Sequence, residues 1–241
     1  GVNLSMLLND KNPLIEAAQA GRTVTLAVLL GAKANPCTSL KDGTSALMVS
    51  CQNGHYGCVR LLLACNANCN GNTLLKTTPL MAACYFGHSR IVTMLCQHKA
   101  DVCAVDEDGI TALMYACQNG HAEVTRYLLA NNTDVNSTSN SGYFPLAYAC
   151  QNGHHDVIKA LLDNHASVNQ AAQPSGWTSL MFAAKENKLD VVSYLLECQA
   201  DASLVEAGGY CAADLTTDPA VQKKLRPPAY PSWSTDEVSD W

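Results

Sequence analysis

Cys51, Cys84, Cys117 and Cys150 stand 33 residues apart, and His55, His88, His121 and His154 keep the same period. So do Gly21, Gly54, Gly87, Gly120 and Gly153, and Leu14, Leu47, Leu80, Leu113 and Leu146, with Leu180 following one residue late. A period between 20 and 50 residues means a stack of copies of one supersecondary unit, and it must be settled before any short motif is read. Such a unit cannot cover its own apolar faces, so its neighbours must do so.

One unit, residues 108–136, reads DGITALMYACQNGHAEVTRYLLANNTDVN. Asp108-Gly109 is a turn signal. The Thr111 hydroxyl can accept a first-turn N–H and start a helix. Leu113, Ala116 and Cys117 then fall at the spacing of a buried helical face. Gly120 suits the left-handed residue just past a helix end. Val124, Tyr127, Leu128 and Leu129 form the stripe of a second helix, which Asn131, Asn132 and Asn136 end. The unit is helix–turn–helix–loop.

The pattern G-x-T-x-L-x-x-A-x-x-x-G-H, followed by an apolar helix and a closing segment like Ala-Asp-Val-Asn, resembles the ankyrin repeat. The stretch TTPLMAACYFGH, residues 77–88, is similar to that family's Thr-Pro-Leu-His signature, with Met81 in place of the histidine. Six units open near Pro13, Ser45, Thr78, Thr111, Phe144 and Thr178, and a degenerate seventh covers 208–225. The expected fold is an all-α repeat solenoid, stacked helix–turn–helix ankyrin repeats with short finger loops. The expected organisation is a lead-in over 1–12, the repeats over 13–225 and an extended tail over 226–241. Gly1 stands where a methionine would, so the chain is expected to be processed or cut from a longer protein.

A cysteine and a histidine four apart can share a helix face, as metal ligands do. In this register the cysteine instead replaces the second alanine of the family's Ala-Ala pair, a small buried position that cysteine fills well. The histidine follows the helix-ending glycine and is expected to hydrogen-bond locally. Stacked units hold these side chains in parallel rows, not converging on one ion, so no metal and no cofactor are expected. Cys58, Cys69 and Cys96 align with Val or Leu and read as core, while Cys37, Cys103 and Cys198 read as more exposed. Many unpaired thiols point to a reducing compartment, the cytoplasm, with the nucleus open as an alternative.

No stretch is long and apolar enough to cross a membrane, and a net charge of −6 gives no reason to expect a nucleic-acid surface. Two departures from the pattern stand out. Asn187 replaces the glycine of unit six and tolerates the same left-handed backbone. The loop over 169–177 is one residue longer than its counterparts, so its finger is expected to be displaced. Gln19, Arg22 and Thr25 at one end, and Gln222, Lys223 and Lys224 at the other, read as polar caps.

No unit carries a nucleophile with its base, a phosphate-binding glycine loop or a catalytic acid pair, so the chain is expected not to be an enzyme. The resemblance implies a partner held in a concave groove formed by finger tips and the outward face of each first helix. Carried over position by position, that surface comprises Leu74, Leu75, Tyr85 and Phe86; Asp106, Glu107, Asp108 and Ile110; Tyr115, Gln118 and Asn119; Tyr143, Tyr148, Gln151 and Asn152; and Trp177, Phe182, Lys185 and Glu186. Lys41, Asp42, Thr44, Val49, Gln52, Asn53, Thr77 and Ala82 extend it, and Tyr210 ends it. Of the chain's 15 Phe, Trp and Tyr residues, eight fall on these positions, which are about a ninth of the sequence. Exposed aromatics on a rigid scaffold mark a binding surface. A peptide would set an apolar residue on Tyr85, Phe86 and Tyr115 and turn a basic one toward Asp106, Glu107 and Asp108. The helix-one aromatics Tyr115, Tyr148 and Phe182 could instead fill gaps between units. In the tail, Pro227, Pro228 and Tyr230 form a Pro-Pro-x-Tyr match to the ligand of WW domains, two prolines pre-forming a polyproline helix. The function implied is an adaptor or scaffold, or else the substrate-recognition arm of a ubiquitin ligase or other enzyme assembly.

Overall fold

The computed structural model describes residues 12–226; the lead-in over 1–11 and the tail motif of Pro227, Pro228 and Tyr230 lie outside the described residues. Seven helix pairs follow one another: α1 (Pro13–Gln19) and α2 (Thr23–Gly31), α3 (Ala46–Gln52) and α4 (Tyr56–Ala64), α5 (Pro79–Tyr85) and α6 (Ser89–Gln97), α7 (Ala112–Gln118) and α8 (Ala122–Leu129). Next come α9 (Pro145–Asn152) and α10 (His155–Asp163), then the short strands β1 (Ala171–Ala172) and β2 (Trp177–Thr178), then α11 (Ser179–Lys185) and α12 (Leu189–Glu197), and last α13 (Ala212–Leu215) and α14 (Pro219–Leu225). The first helices pack in series from α1 to α13, and the second helices form a layer behind them. The first helices of the seven pairs begin at Pro13, Ala46, Pro79, Ala112, Pro145, Ser179 and Ala212.

Each first helix starts on a side-chain cap where the sequence supplies a hydroxyl. Ser45, Thr78, Thr111 and Thr178 accept the N–H of Met48, Met81, Met114 and Met181. Phe144 has no such oxygen; its ring is buried instead, and Pro145 presets the first helical turn. Leu14, Leu47, Leu80, Leu113, Leu146 and Leu180 are all buried. Each stabilises the stack by about 1.5–3 kcal/mol relative to an exposed side chain.

Cys51, Cys84, Cys117 and Cys150 are fully buried, and burial pushes all four thiols up, Cys117 to about 12. All twelve cysteines are free thiols. Cys58 is core, but Cys69 and Cys96 are only half-buried, and the Cys69 thiol reaches the His98 carbonyl at 3.2 Å. Cys37 and Cys103 are exposed, Cys198 half-buried.

The recurring histidine does not bond locally. His55, His88, His121 and His154 place Nε2 at 3.0–3.2 Å from the carbonyls of Gln19, Gln52, Tyr85 and Gln118, each in the preceding unit. The ring lies over that unit's helix-ending glycine. At Gly87, φ is +74°, and a Cβ would stand 2.4 Å from His121 Nδ1. The glycine is thus required twice, by its backbone and by the histidine that covers it. Asn187 has φ +54° and does more than tolerate it: its Oδ1 accepts from the Thr216 hydroxyl at 2.7 Å and from the Thr217 and Asp218 N–H groups. It thereby ties down the seventh unit.

The fingers join edge to edge. Leu74 N–H donates to the Asp42 carbonyl, Glu107 to Leu75, Asn140 to Asp108 and Ala207 to Ser175, all at 2.8–3.0 Å. The ladder breaks at the longer finger: among the described residues no such bond joins the fourth finger to it, and it pairs only with the finger that follows. The longer finger's extra residue is absorbed in the turn of the β1–β2 hairpin, where Ala172 pairs with Trp177. At the ends, Gln19, Arg22, Thr25, Gln222, Lys223 and Lys224 are exposed as expected, but so are the apolar Val24 and Val28.

Candidate functional site

The fingers and the outward faces of the first helices bring most of the sequence-chosen side chains into two clusters. In the first, Leu74 and Leu75 (76% and 62% exposed) cap the second finger, and Tyr85 and Phe86 (42% and 45% exposed) close α5. The Tyr85 and Phe86 rings meet edge to face at 4.9 Å, and Tyr85 meets Tyr115 at 5.7 Å. Edge-to-face contact fixes ring orientation and leaves faces open. Together with Met48, Met81, Thr73 and Thr77 these side chains line an open pocket of about 540 Å³. Asp42 sits at its rim, and the Thr44 N–H and hydroxyl hold that carboxyl below the usual carboxylate range.

The second cluster is built by Tyr143, Tyr148, Trp177 and Phe182. Phe182 lies 4.9 Å from Tyr143 and 5.1 Å from Trp177, and Tyr143 lies 5.0 Å from Tyr148. A pocket of about 370 Å³ opens over Tyr143, Trp177 and Phe182, with Gln151, Lys185, Glu186, Ser141 and Ser175 around it.

Four residues assigned to the groove do not offer a free surface. Val49 and Ala82 are buried where the first helices pack against one another. Phe182 is 6% exposed, because its ring is the floor on which Tyr143 and Trp177 pack. Asp106 is also 6% exposed, and its carboxylate is already used. It accepts from the Asp108 and Ile110 N–H groups and, at 2.5 Å, from the Tyr115 hydroxyl. Desolvation first, and this bond second, push the Tyr115 phenol well above its ordinary range. A basic ligand group therefore cannot face Asp106; Glu107 and Asp108 are the exposed carboxylates of that finger, and Ile110 is half-buried.

The gap-filling alternative holds in part. Burial raises the Tyr148 phenol, and Tyr115 and Tyr148 are both half-buried between units. The Asn of each Gln-Asn pair has a structural task as well. Asn119 and Asn152 donate to the Tyr115 and Tyr148 carbonyls at 2.9 Å, closing the ends of their helices. Gln118 and Gln151 are half-buried, and Lys185 and Glu186 are exposed. Met48, Met81 and Thr73 were missed; the methionines recur at the third position of the first helices and were legible in the same alignment. Among the described residues no three His, Cys, Asp or Glu side chains gather as a metal site, and no helix is long and apolar enough to cross a membrane.

The family model for ankyrin repeats (3 copies) matches residues 2–73, 66–139 and 131–205. Among solved structures, the chain is similar to the crystal structure of the human ASB11 ankyrin repeat domain, with a TM-score of 0.84 and 31% sequence identity. That likeness covers 91% of this chain and 100% of that one. No curated protein matches the sequence.

Proposed function

Because the chain belongs to the ankyrin repeat family, whose domains generally mediate protein–protein interactions, we propose that it is a non-catalytic binding module that holds a partner protein in its concave groove. The observation that carries this reading is the pocket of about 540 Å³ between the first two fingers, on which Leu74, Leu75, Tyr85 and Phe86 are all exposed. Gathering four large apolar side chains at one open site exposes apolar surface with no benefit to folding, and an apolar partner side chain would remove it from water. The groove is rigid at this pocket, since Tyr115 is fixed by Asp106 and the first four fingers are joined in a ladder. Little ordering entropy then remains to be lost on binding. In this reading the chain acts as an adaptor or scaffold inside the cell.

The test uses p-benzoylphenylalanine in place of Leu75, and separately in place of the exposed Glu123 on the outer helix α8. A partner cross-linked in lysate from position 75 and not from 123 supports the groove. The same cross-links from both positions, or from 123 alone, sink it.

The Pro227, Pro228 and Tyr230 motif supports a second reading, in which the chain is a recognition arm that recruits a WW-domain protein to an enzyme assembly. Tyr230→Ala is expected to abolish binding of purified WW domains in a pull-down, and equal capture by the variant would remove the idea.

A further inference from the structure

The two pockets lie along one groove; their near edges reach Tyr115 on α7 and Gln151 on α9, while their anchors, Tyr85 and Phe86 at the end of α5 and Phe182 on α11, are separated by the steps α5 to α7, α7 to α9 and α9 to α11. Packed helices stand roughly 8–10 Å apart, which sets these anchors on the order of 24–30 Å from each other. An extended chain advances about 3.3 Å per residue, so about eight residues bridge them. A helix, at about 1.5 Å per residue, would need twice that number.

The chemistry differs along this path. The first pocket is apolar, with Asp42 at its rim and Lys41 and Lys76 exposed on the same two fingers, so it selects an apolar side chain and not a charge. Between the pockets the third finger exposes Glu107 and Asp108 and carries no Lys or Arg. The second pocket presents the rings of Tyr143 and Trp177 over Phe182, with Glu186 and Lys185 opposed on its rim. With those two charges offsetting each other, the ring faces decide, and ring faces attract cations. Arginine suits them best, since its plane stacks on aromatic rings.

Resting on the groove reading above, we propose that the ligand is an extended basic peptide with two anchors about eight residues apart. An apolar side chain enters the Leu74, Leu75, Tyr85 and Phe86 pocket; an arginine or lysine lies on Tyr143 and Trp177; and at least one basic residue between them faces Glu107 and Asp108. The chain's own segment 227–241 has the wrong sign, with Asp236, Glu237 and Asp240 and no basic residue. A second copy, at a net charge of −6, is disfavoured for the same reason.

The experiment is selection of a random 16-residue phage-displayed peptide library on the whole chain, followed by fluorescence-polarisation titration of the enriched peptides. Enriched peptides are expected to pair an apolar residue with an Arg or Lys about seven to nine positions away. Phe86→Ala and Trp177→Ala should each weaken them about tenfold or more. Glu107→Gln with Asp108→Asn should weaken them and flatten their salt dependence. Because Trp177 also packs on Phe182, Glu186→Gln is the second variant, expected to lose about threefold without disturbing the rings. Peptides that depend on Phe86 but ignore Trp177, Glu186 and the Glu107/Asp108 pair would leave groove binding standing and overturn the two-anchor ligand. Peptides that ignore Phe86 as well would overturn both, and so would a selection that enriches nothing.

Discussion

Gly87→Ala measures the coupling between neighbouring units. At φ +74° an alanine costs about 1–2 kcal/mol. Its Cβ, 2.4 Å from His121 Nδ1, must also push the ring off the Tyr85 carbonyl, at about 0.5–1.5 kcal/mol for the lost bond. The stiffer unfolded chain returns about 0.4–1 kcal/mol. The net expectation is a loss of about 1–3 kcal/mol. Gly31→Ala is the control: that glycine ends α2 with no positive φ and nothing within 4 Å of a Cβ. There alanine is expected to gain up to about 1 kcal/mol in helix propensity. Urea unfolding followed by far-UV circular dichroism reads both, with hydrogen exchange of α5 to α8 locating the damage. In a His121→Ala background the ring is gone, so Gly87→Ala should cost only its backbone share. If Gly87→Ala behaves like Gly31→Ala, or costs the same with and without His121, the staple is not what couples these units.

Other consequences follow from the same geometry. Tyr115→Phe should cost about 1.5–3 kcal/mol, because it removes a donor to a buried carboxylate. Since the Tyr115 phenol titrates above its ordinary value of about 10, its stabilisation is complete below that pH and is lost as pH rises toward the folded value. Alkaline unfolding should therefore be less steep in Tyr115→Phe. Ser50→Ala should stabilise by about 1 kcal/mol, since the buried Ser50 hydroxyl has no partner and alanine fills this place in other units; an unchanged melting temperature would count against that. Phe182→Ala should cost about 3–5 kcal/mol and shift Trp177 fluorescence, which a surface residue would not do.

The repeat was legible because stacking forces one residue type into one place every 33 residues, so Leu113 or Cys117 in any unit predicts its burial in the rest. What joins units was less legible. The partner of His121 is a backbone carbonyl 36 residues away, and a carbonyl leaves no mark in a sequence. The groove was legible as a set of positions, but not the depth of each side chain. Phe182 and Tyr85 differ in burial because Tyr143 and Trp177 from two fingers close over Phe182, whereas the finger beside Tyr85 ends in exposed Leu74 and Leu75. Asp106 reads as a free turn acid until Tyr115, nine residues on, is folded onto it.

The most direct test of groove binding is the affinity of a cross-linked and purified partner for the intact chain and for a Tyr85→Ala/Phe86→Ala variant, by isothermal titration calorimetry. Both proteins must first give the same circular dichroism. The groove account predicts that the variant loses about 1–4 kcal/mol, as interface anchors do. An unchanged dissociation constant in a folded variant would contradict it and move the binding surface elsewhere on the solenoid.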